Sequence, residues 1–460
     1  MGPYDVVVIG GGPGGYVAAI RAHQLGLSTA LVEKEAMGGV CLNWGCIPTK
    51  ALLRNAEVIR TLGEGKAFGF SFDASTLTVD YAVAQQRSRQ VSGRLVKGVQ
   101  FLMKKNEVEV IQGSAVIKSP TQVAVGDQVL TAKNIVIATG ARPRSVPGVA
   151  IDGKMVISSR EALELTQLPA SLLVIGAGAI GVEFASIWNS YGVNVTIVEM
   201  LPNVLPLEDA DISAELEKAL RKQKIAVRTG TRVEKADTSG GKVALNVSKN
   251  GNAETLTADL ALMAIGVAPN SEGIGLEAVG VQTERGFIKI DDHMRTNVPG
   301  VYAIGDVTGK LALAHVASAQ GIGAIETIAG LQAETLNYAK MPRCVYCHPE
   351  VASVGLSEAQ AREKGYQVRT GQFPFRANGK ALGLDDYEGF VKIVAEQEYD
   401  EVLGVHIIGP HVTELIAGPT GMLRLEATVE ELARTVHPHP TLSETIMEAA
   451  HATLGRAIHM

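Results

Sequence analysis

Apolar residues recur along the chain in short solid runs separated by glycine turns and amphipathic stretches, which is the pattern of strands buried on both faces and of the helices that cover them. The first such unit is a strand from Tyr4 to Ile9, the turn Gly10-Gly11-Gly12-Pro13-Gly14-Gly15, a helical stretch to Leu25 and a second strand ending at Glu33. The pattern then recurs. Leu172 to Ile175 predicts a strand, Gly176-Ala177-Gly178-Ala179-Ile180-Gly181 a turn, and Val195 to Glu199 a closing strand. From first glycine to terminal acid is 23 residues in both copies, 10 to 33 and 176 to 199. Two βαβ units of one design in one chain point to an internal duplication.

Between the copies, Ser88 to Met103 predicts a partly basic helix, Val108 to Ile117 alternates as a strand through Gly113, and Val129 to Ile137 leads into Ala138-Thr139-Gly140. After the second copy, Leu260 to Ile265 with Gly266 forms another strand and turn, and Val301 to Ile304 runs into Gly305-Asp306. From Pro342 the pattern changes to strands at Phe390 to Val394 and Val402 to Ile408, then helices at Val412 to Leu423 and Leu442 to Leu454. This reads as a separate α+β domain without a glycine turn, suited to an interface.

The glycines at 10, 12 and 15 fit G-x-G-x-x-G, which allows a tight turn, lets phosphate approach the backbone and lets helix meet strand. Glu33 stands where an acid accepts hydrogen bonds from ribose hydroxyls, and Glu199 repeats the placement. Two dinucleotide sites follow, against the alternative that the second copy kept its glycines for packing. Beyond Glu199 no Arg or Lys up to Leu207 is placed to receive a 2′-phosphate, which favours NAD over NADP. Asp306, at the carboxyl edge of a strand, reads either as a second contact to the first cofactor or as a cap for the following helix.

Composition narrows the class. A chain of 460 residues, 46% hydrophobic, is long enough for about three domains. The net charge of -6 and the lack of a basic tract argue against a nucleic-acid partner. No apolar run reaches membrane-spanning length and no signal-peptide pattern precedes Tyr4, so the expectation is a cytoplasmic protein with no membrane partner.

Four cysteines do not make a disulfide scaffold. Cys41 and Cys46, in Gly38-Gly39-Val40-Cys41-Leu42-Asn43-Trp44-Gly45-Cys46-Ile47-Pro48-Thr49-Lys50, begin eight residues after the first fingerprint ends. A pair closed over so short a loop suits reversible exchange, and the other reading is two buried thiols packing as small hydrophobes. Cys344-Val345-Tyr346-Cys347-His348 matches a haem-attachment pattern, but buried packing is the better reading and no metal site is expected. In His437-Pro438-His439-Pro440-Thr441-Leu442-Ser443-Glu444, Pro440 keeps His439 extended before a helix, as a general base needs. Glu444 either orients that imidazole or caps the helix at Thr441.

Taken together, the first turn followed by Tyr16, the Cys41 to Lys50 stretch, the second turn ending Gly181-Val182-Glu183, Gly305-Asp306 and His439-Pro440-Thr441-Leu442-Ser443-Glu444 resemble the flavin-dependent pyridine nucleotide-disulfide oxidoreductases over essentially the whole length. The resemblance implies an α/β architecture with two Rossmann-like dinucleotide-binding domains of glutathione-reductase type and a C-terminal α+β dimerisation domain. It divides the chain into residues 1–145 for FAD, 146–270 for NAD, 271–341 completing the FAD site and 342–460 as the interface. It implies an enzyme that oxidises protein-bound dihydrolipoyl groups and reduces NAD+, serving cell redox homeostasis.

The same resemblance implies that Cys41 exchanges with substrate, Cys46 faces the flavin, Lys50 lies by the flavin and pairs with Glu183, and His439 and Glu444 act on the dithiol of the other subunit of a homodimer. Gly10, Gly12, Gly15, Glu33, Lys34, Gly39, Cys41, Lys50, Gly113, Thr139, Gly140, Asp306 and the helix start Ala312-Leu313-Ala314-His315 would hold FAD. Gly176, Gly178, Ile180, Gly181, Glu183, Glu199, Val233 and Gly266 would hold NAD. Implied partners are the lipoyl domains and the peripheral-subunit-binding domain of a 2-oxo acid dehydrogenase acyltransferase. Trp44, Thr49 and Val267-Ala268 depart from the family's usual residues. The alternatives are an NAD(P)H-dependent disulfide reductase of glutathione-reductase type and a non-catalytic flavoprotein subunit.

Overall fold

The computed structural model describes residues 3–71, 73 and 76–460. The chain forms two compact units. The first comprises residues up to 51, 83–144 and 266–338, and the second 52–82, 145–265 and 339–460.

In the first unit, Tyr4–Ile9 lies at the centre of a parallel sheet, between Thr29–Glu33 and Gln128–Ile137, with Glu109–Gln112 and Val301–Ala303 outside them. Alternation along the strand sends Val6 and Val8 to a layer holding Ala18, Ala19 and Ala22 of the helix Pro13–Gln24, with Ala324 and Ile325 of the helix Ala314–Ile328. Val7 and Ile9 face Ile117, Val123 and Leu130 of an antiparallel extension. Both faces are dry, which is why the strand reads as a continuous apolar run, and each buried Val or Ile contributes about 1.5–3 kcal/mol. The alternation read through Gly113 as one strand is two strands, Glu109–Gln112 and Ala115–Ser119. Gly113 breaks them with φ +148°, where a Cβ would meet Val125 at 2.6 Å.

The second unit repeats the design and adds to it. Ser171–Ile175 pairs in parallel with Asn194–Val198 and Leu260–Met263, with Ala226–Arg228 and Val156–Ile157 at the edges. A three-stranded antiparallel sheet spans Arg232–Ala258, and the C-terminal part forms a five-stranded antiparallel sheet in the order Arg343–Val345, Glu350–Gly355, Val402–Gly409, Phe390–Glu396, Val368–Pro374. Helix Glu444–Thr453 packs Ile446, Ala449 and Ala450 into the core of that sheet beside Phe373 and Val391. The predicted helix from Val412 to Leu423 is two, Val412–Leu415 and Ala417–Arg424. Pro419 has no amide to give a continuous helix, so it sits in the first turn of a new one.

The duplication extends to atoms. Gly10 and Gly176 take φ +111° and +104°, and a Cβ on either would meet the carbonyl oxygen of Ala138 at 2.3 Å or of Ala264 at 2.5 Å. A Cβ on Gly15 or Gly181 would meet the carbonyl of Gly10 at 1.8 Å or of Gly176 at 2.1 Å. Gly12 differs, since its Cβ would meet only Gly39 Cα at 3.9 Å. Gly15→Ala therefore lowers unfolding stability by about 2–4 kcal/mol, whereas Gly12→Ala costs less than about 0.5 kcal/mol. Urea denaturation of the two variants checks this ordering, and equal midpoints would refute it.

Candidate active site

The first glycine turn is held by its own strand-end acid. Glu33, buried, accepts the Gly11 amide at 2.7 Å through Oε2 and the amides of Glu35 and Ala36 at 2.7 and 3.2 Å through Oε1. Glu199 does the same in the second copy, accepting Ala177 at 2.7 Å and Leu201 at 2.8 Å. Each turn leads into a helix, Pro13–Gln24 or Ala179–Ser190, whose first amides and dipole favour a phosphate there.

The other face of the Gly11 peptide is gripped as well, because its carbonyl accepts the Gly38 amide at 2.8 Å. Gly38 has φ +89° and begins the helix Gly39–Trp44, which carries Cys41. Asn43 fixes this helix by donating to the carbonyls of Met37 and Gly39, both at 3.0 Å, and Arg89 Nη1 donates to the Asn43 carbonyl at 2.7 Å. Gly45 separates it from the helix Cys46–Gly63, which starts on the second cysteine.

Cys41 and Cys46 are brought together in the dithiol form, with their side chains hydrogen-bonded. That hydrogen bond to Cys46 pushes the Cys41 thiol well above its ordinary value, burial adds to the rise, and the charge of Lys50 opposes it. Cys46 stands at the first position of an 18-residue helix, whose dipole favours negative charge. Tyr16 is also close, its phenol pushed up by burial and by Cys41.

Further predicted residues gather on the first unit. Thr139 Oγ1 is buried without a partner, and Asn270 braces its loop by donating to the carbonyls of Thr139 and Gly140, both at 3.0 Å. Asp306 is partly buried and its carboxyl is pushed up to about 6 by burial. It does not cap the helix Ala314–Ile328, whose N-cap is Leu313 with no side-chain cap. An orphaned hydroxyl, a carboxyl raised by burial and a glycine turn with room at Gly12 fit a polar dinucleotide, FAD by the sequence. Lys34 is exposed, and Gly39 touches the turn, where its Cβ would meet Gly12 Cα at 2.7 Å.

On the second unit, Glu183 is buried in the helix Ala179–Ser190 and accepts the Tyr346 amide at 3.0 Å. Gly178 and Ile180 are open at the turn, and Val233 is partly buried in the strand Arg232–Asp237. Gly266, with φ +106°, follows in the first unit, where its carbonyl accepts the Arg144 amide at 3.1 Å. Cys347 is buried with its thiol on the Pro349 carbonyl at 3.2 Å, and burial pushes that thiol up. Among the described residues no cluster of three or more His, Cys, Asp or Glu could hold a metal, and no helix is long and apolar enough to cross a membrane.

Glu444 serves both of its predicted uses. Oε1 takes His439 Nδ1 at 2.9 Å while Oε2 accepts the Thr441 amide at 2.8 Å. Burial pushes this carboxyl up, but the Thr441 amide and the imidazole more than offset it, leaving it below the ordinary range. The His439 side chain is 79% exposed and Glu444 only 21%, so a fixed carboxylate presents a free ring face to the outside. Gly38, Asn270 and Arg89 were not predicted; only Gly38 carried a signal, the Gly38-Gly39 doublet after the acid.

Removing the Cys46 thiol by Cys46→Ala lets the Cys41 pKa fall. Iodoacetamide alkylation of Cys41 at pH 8 is then faster than in the reduced wild type, and a slower or unchanged rate contradicts a role for Cys46 in holding Cys41 protonated.

Residues 4–321 match the model of the pyridine nucleotide-disulphide oxidoreductases and residues 341–450 that family's dimerisation domain. The chain is 50% identical to the dihydrolipoyl dehydrogenase of Mycobacterium bovis over all of both proteins, and 46% identical to that of Bacillus subtilis over 99% of each. Among solved structures it resembles LpdA from Mycobacterium tuberculosis, with a TM-score of 0.89 at 29% identity over 97% of this chain and 99% of that one. A flavoprotein disulfide reductase of Escherichia coli, RclA, aligns with a TM-score of 0.87 at 27% identity over 98% and 99% of the two chains. The duplicated turn, the paired cysteines and the histidine–glutamate pair thus sit in a chain that belongs to the pyridine nucleotide-disulphide oxidoreductase family, in its dihydrolipoyl dehydrogenase branch.

Proposed function

We propose that the protein oxidises protein-bound dihydrolipoyl groups to the cyclic disulfide and reduces NAD+, with Cys41, Cys46, His439, Glu444, Lys50 and Glu183 as the working residues. The observation that carries this reading is the hydrogen-bonded Cys41–Cys46 pair, clipped through Gly38 to a dinucleotide turn.

In the oxidised state the two cysteines form a disulfide. His439, with Nδ1 fixed on Glu444, takes the proton of one substrate thiol on Nε2. The resulting thiolate attacks Cys41 Sγ, the Cys41–Cys46 bond breaks, and Cys46 leaves as a thiolate favoured by its helix terminus. The second substrate thiol attacks the mixed disulfide, which releases the cyclic product and returns Cys41 with a proton. Two electrons have then moved from substrate to the cysteine pair, one proton resting on His439 and one on Cys41. Bound FAD supplies the two-electron acceptor between the Cys46 thiolate and NAD+. Gly12, Thr139 and Asp306 are the groups of the first unit that would hold FAD, and Gly178 and Glu199 those of the second that would hold NAD. The charge of Lys50 eases deprotonation of Cys41 when electrons leave the pair.

In this reading His439 serves the dithiol of a second copy and the homodimer is the smallest active unit, which the exposure of His439 on its own chain supports. In this reading residues 1–145 bind FAD, 146–270 bind NAD, 271–341 complete the FAD site and 342–460 join the copies. The enzyme works in the cytoplasm on the lipoyl domains of a 2-oxo acid dehydrogenase acyltransferase, docked through its peripheral-subunit-binding domain.

Purified protein given dihydrolipoamide and NAD+ should form NADH, and should not reduce oxidised glutathione with NADPH; the reverse preference would overturn the reading. His439→Gln should keep its yellow flavin and lose turnover by a factor of about 10²–10⁴, whereas near-normal rates would remove His439 from the mechanism.

A further inference from the structure

The Ala177 peptide in the second glycine turn is held on both faces, as Gly11 is in the first. Its amide donates to Glu199 at 2.7 Å, and its carbonyl accepts the Leu205 amide at 2.9 Å. In the first copy the matching donor is Gly38, which adopts positive φ without strain. In the second copy the donor is a leucine at φ +42°, a region that side chains with a Cβ avoid. Such a conformation persists only where the surroundings over-determine it.

The surroundings here are buried and tied at several points. Leu205 and Val204 are buried, and the Leu205 carbonyl accepts Ser213 Oγ at 3.2 Å. Leu205 belongs to a strap, residues 200–209, that joins the strand ending at Val198 to the helix Ala210–Lys222. The far end of the strap is tied into the C-terminal sheet by buried charges. Glu208 accepts Arg343 Nε at 3.0 Å and Ser353 Oγ at 2.5 Å. Asp209 accepts Lys392 Nζ at 2.9 Å and the Glu358 amide at 3.1 Å. Lys392, with only 3% of its side chain exposed, also holds Asp211 at 2.7 Å and Glu358 at 3.0 Å. A lysine is buried to that extent only when it is paired, and removing one member of such a group leaves the others uncompensated.

We propose that the strap and its Glu208–Arg343 and Asp209–Lys392 anchors form a positioning device for the NAD site, through which the C-terminal domain sets the shape of the Ala177 turn and hence the affinity for NAD. The inference rests on the assignment of NAD to the second turn. Lys392, Glu208 and Leu205 are positioning residues and touch no substrate; they act through Ala177. The cysteine pair lies on the first unit, whose turn is held by Gly38 instead.

The test uses flavin-loaded enzyme carrying Glu208→Gln, Lys392→Met or Lys392→Arg, with NADH binding, the KM for NAD+ and anaerobic flavin bleaching by dihydrolipoamide as readouts. Glu208→Gln and Lys392→Met raise the NADH dissociation constant and the NAD+ KM roughly five- to tenfold, while the bleaching rate stays at the wild-type value. Lys392→Arg, which keeps the charge, recovers most of the affinity. Unchanged NADH affinity in both Glu208→Gln and Lys392→Met would overturn the inference, as would a parallel loss of NADH binding and bleaching, the mark of general destabilisation. If Lys392→Met fails to fold, the near-isosteric Glu208→Gln decides. A wild-type enzyme that dihydrolipoamide does not bleach would refute the proposed substrate, yet the NADH arm would still test the strap.

Discussion

A single peptide group, gripped on both faces, organises each dinucleotide turn. In the first copy Glu33 accepts the amide of Gly11 and Gly38 donates to its carbonyl. A buried carboxylate without donors would cost several kcal/mol, so the acid needs the turn's amide as much as the turn needs the acid. The geometry leaves the glycine-rich backbone open to a ligand at Gly12 and commits the next segment, through Gly38, to start beside it. That segment carries the thiols. The cysteine pair is placed by the same interaction that shapes the glycine turn.

Within that stretch the two sulfurs are made unequal by position. Cys41 lies inside a six-residue helix, while Cys46 opens a long one. Exchange with substrate needs one sulfur that is attacked and one that leaves with charge, and the helix boundary at Gly45 supplies the asymmetry. At the other end of the chain, Glu444 divides its two oxygens between an imidazole and a backbone amide. The cap fixes the carboxylate, and the fixed carboxylate fixes the ring.

Much of this was legible in the sequence because it is local or repeated. Gly10, Gly15 and Glu33 declare a turn by spacing, and the recurrence at Gly176, Gly181 and Glu199 removes the ambiguity of a lone motif. In the sequence Glu444 reads equally as orienter and as cap, since a sequence has no way of showing that one carboxylate does both. Alternation continues across Gly113 and hides the break there, and the apolar pattern continues across Pro419 and hides the break near Ile416. The strap was invisible for a different reason. Leu205 carries no mark of left-handed backbone, and the lysine that anchors Asp209 lies 183 residues away at Lys392, a pairing that only tertiary structure reveals.

The central claim is that Cys41 and Cys46 together store the electron pair that passes from dithiol substrate towards NAD+. Counting titratable thiols in the oxidised enzyme, after one anaerobic equivalent of dihydrolipoamide and again after excess NAD+, tests it most directly. The account predicts two additional thiols, mapped to Cys41 and Cys46, that disappear when NAD+ is added. A thiol count that stays constant while NADH is produced would contradict it.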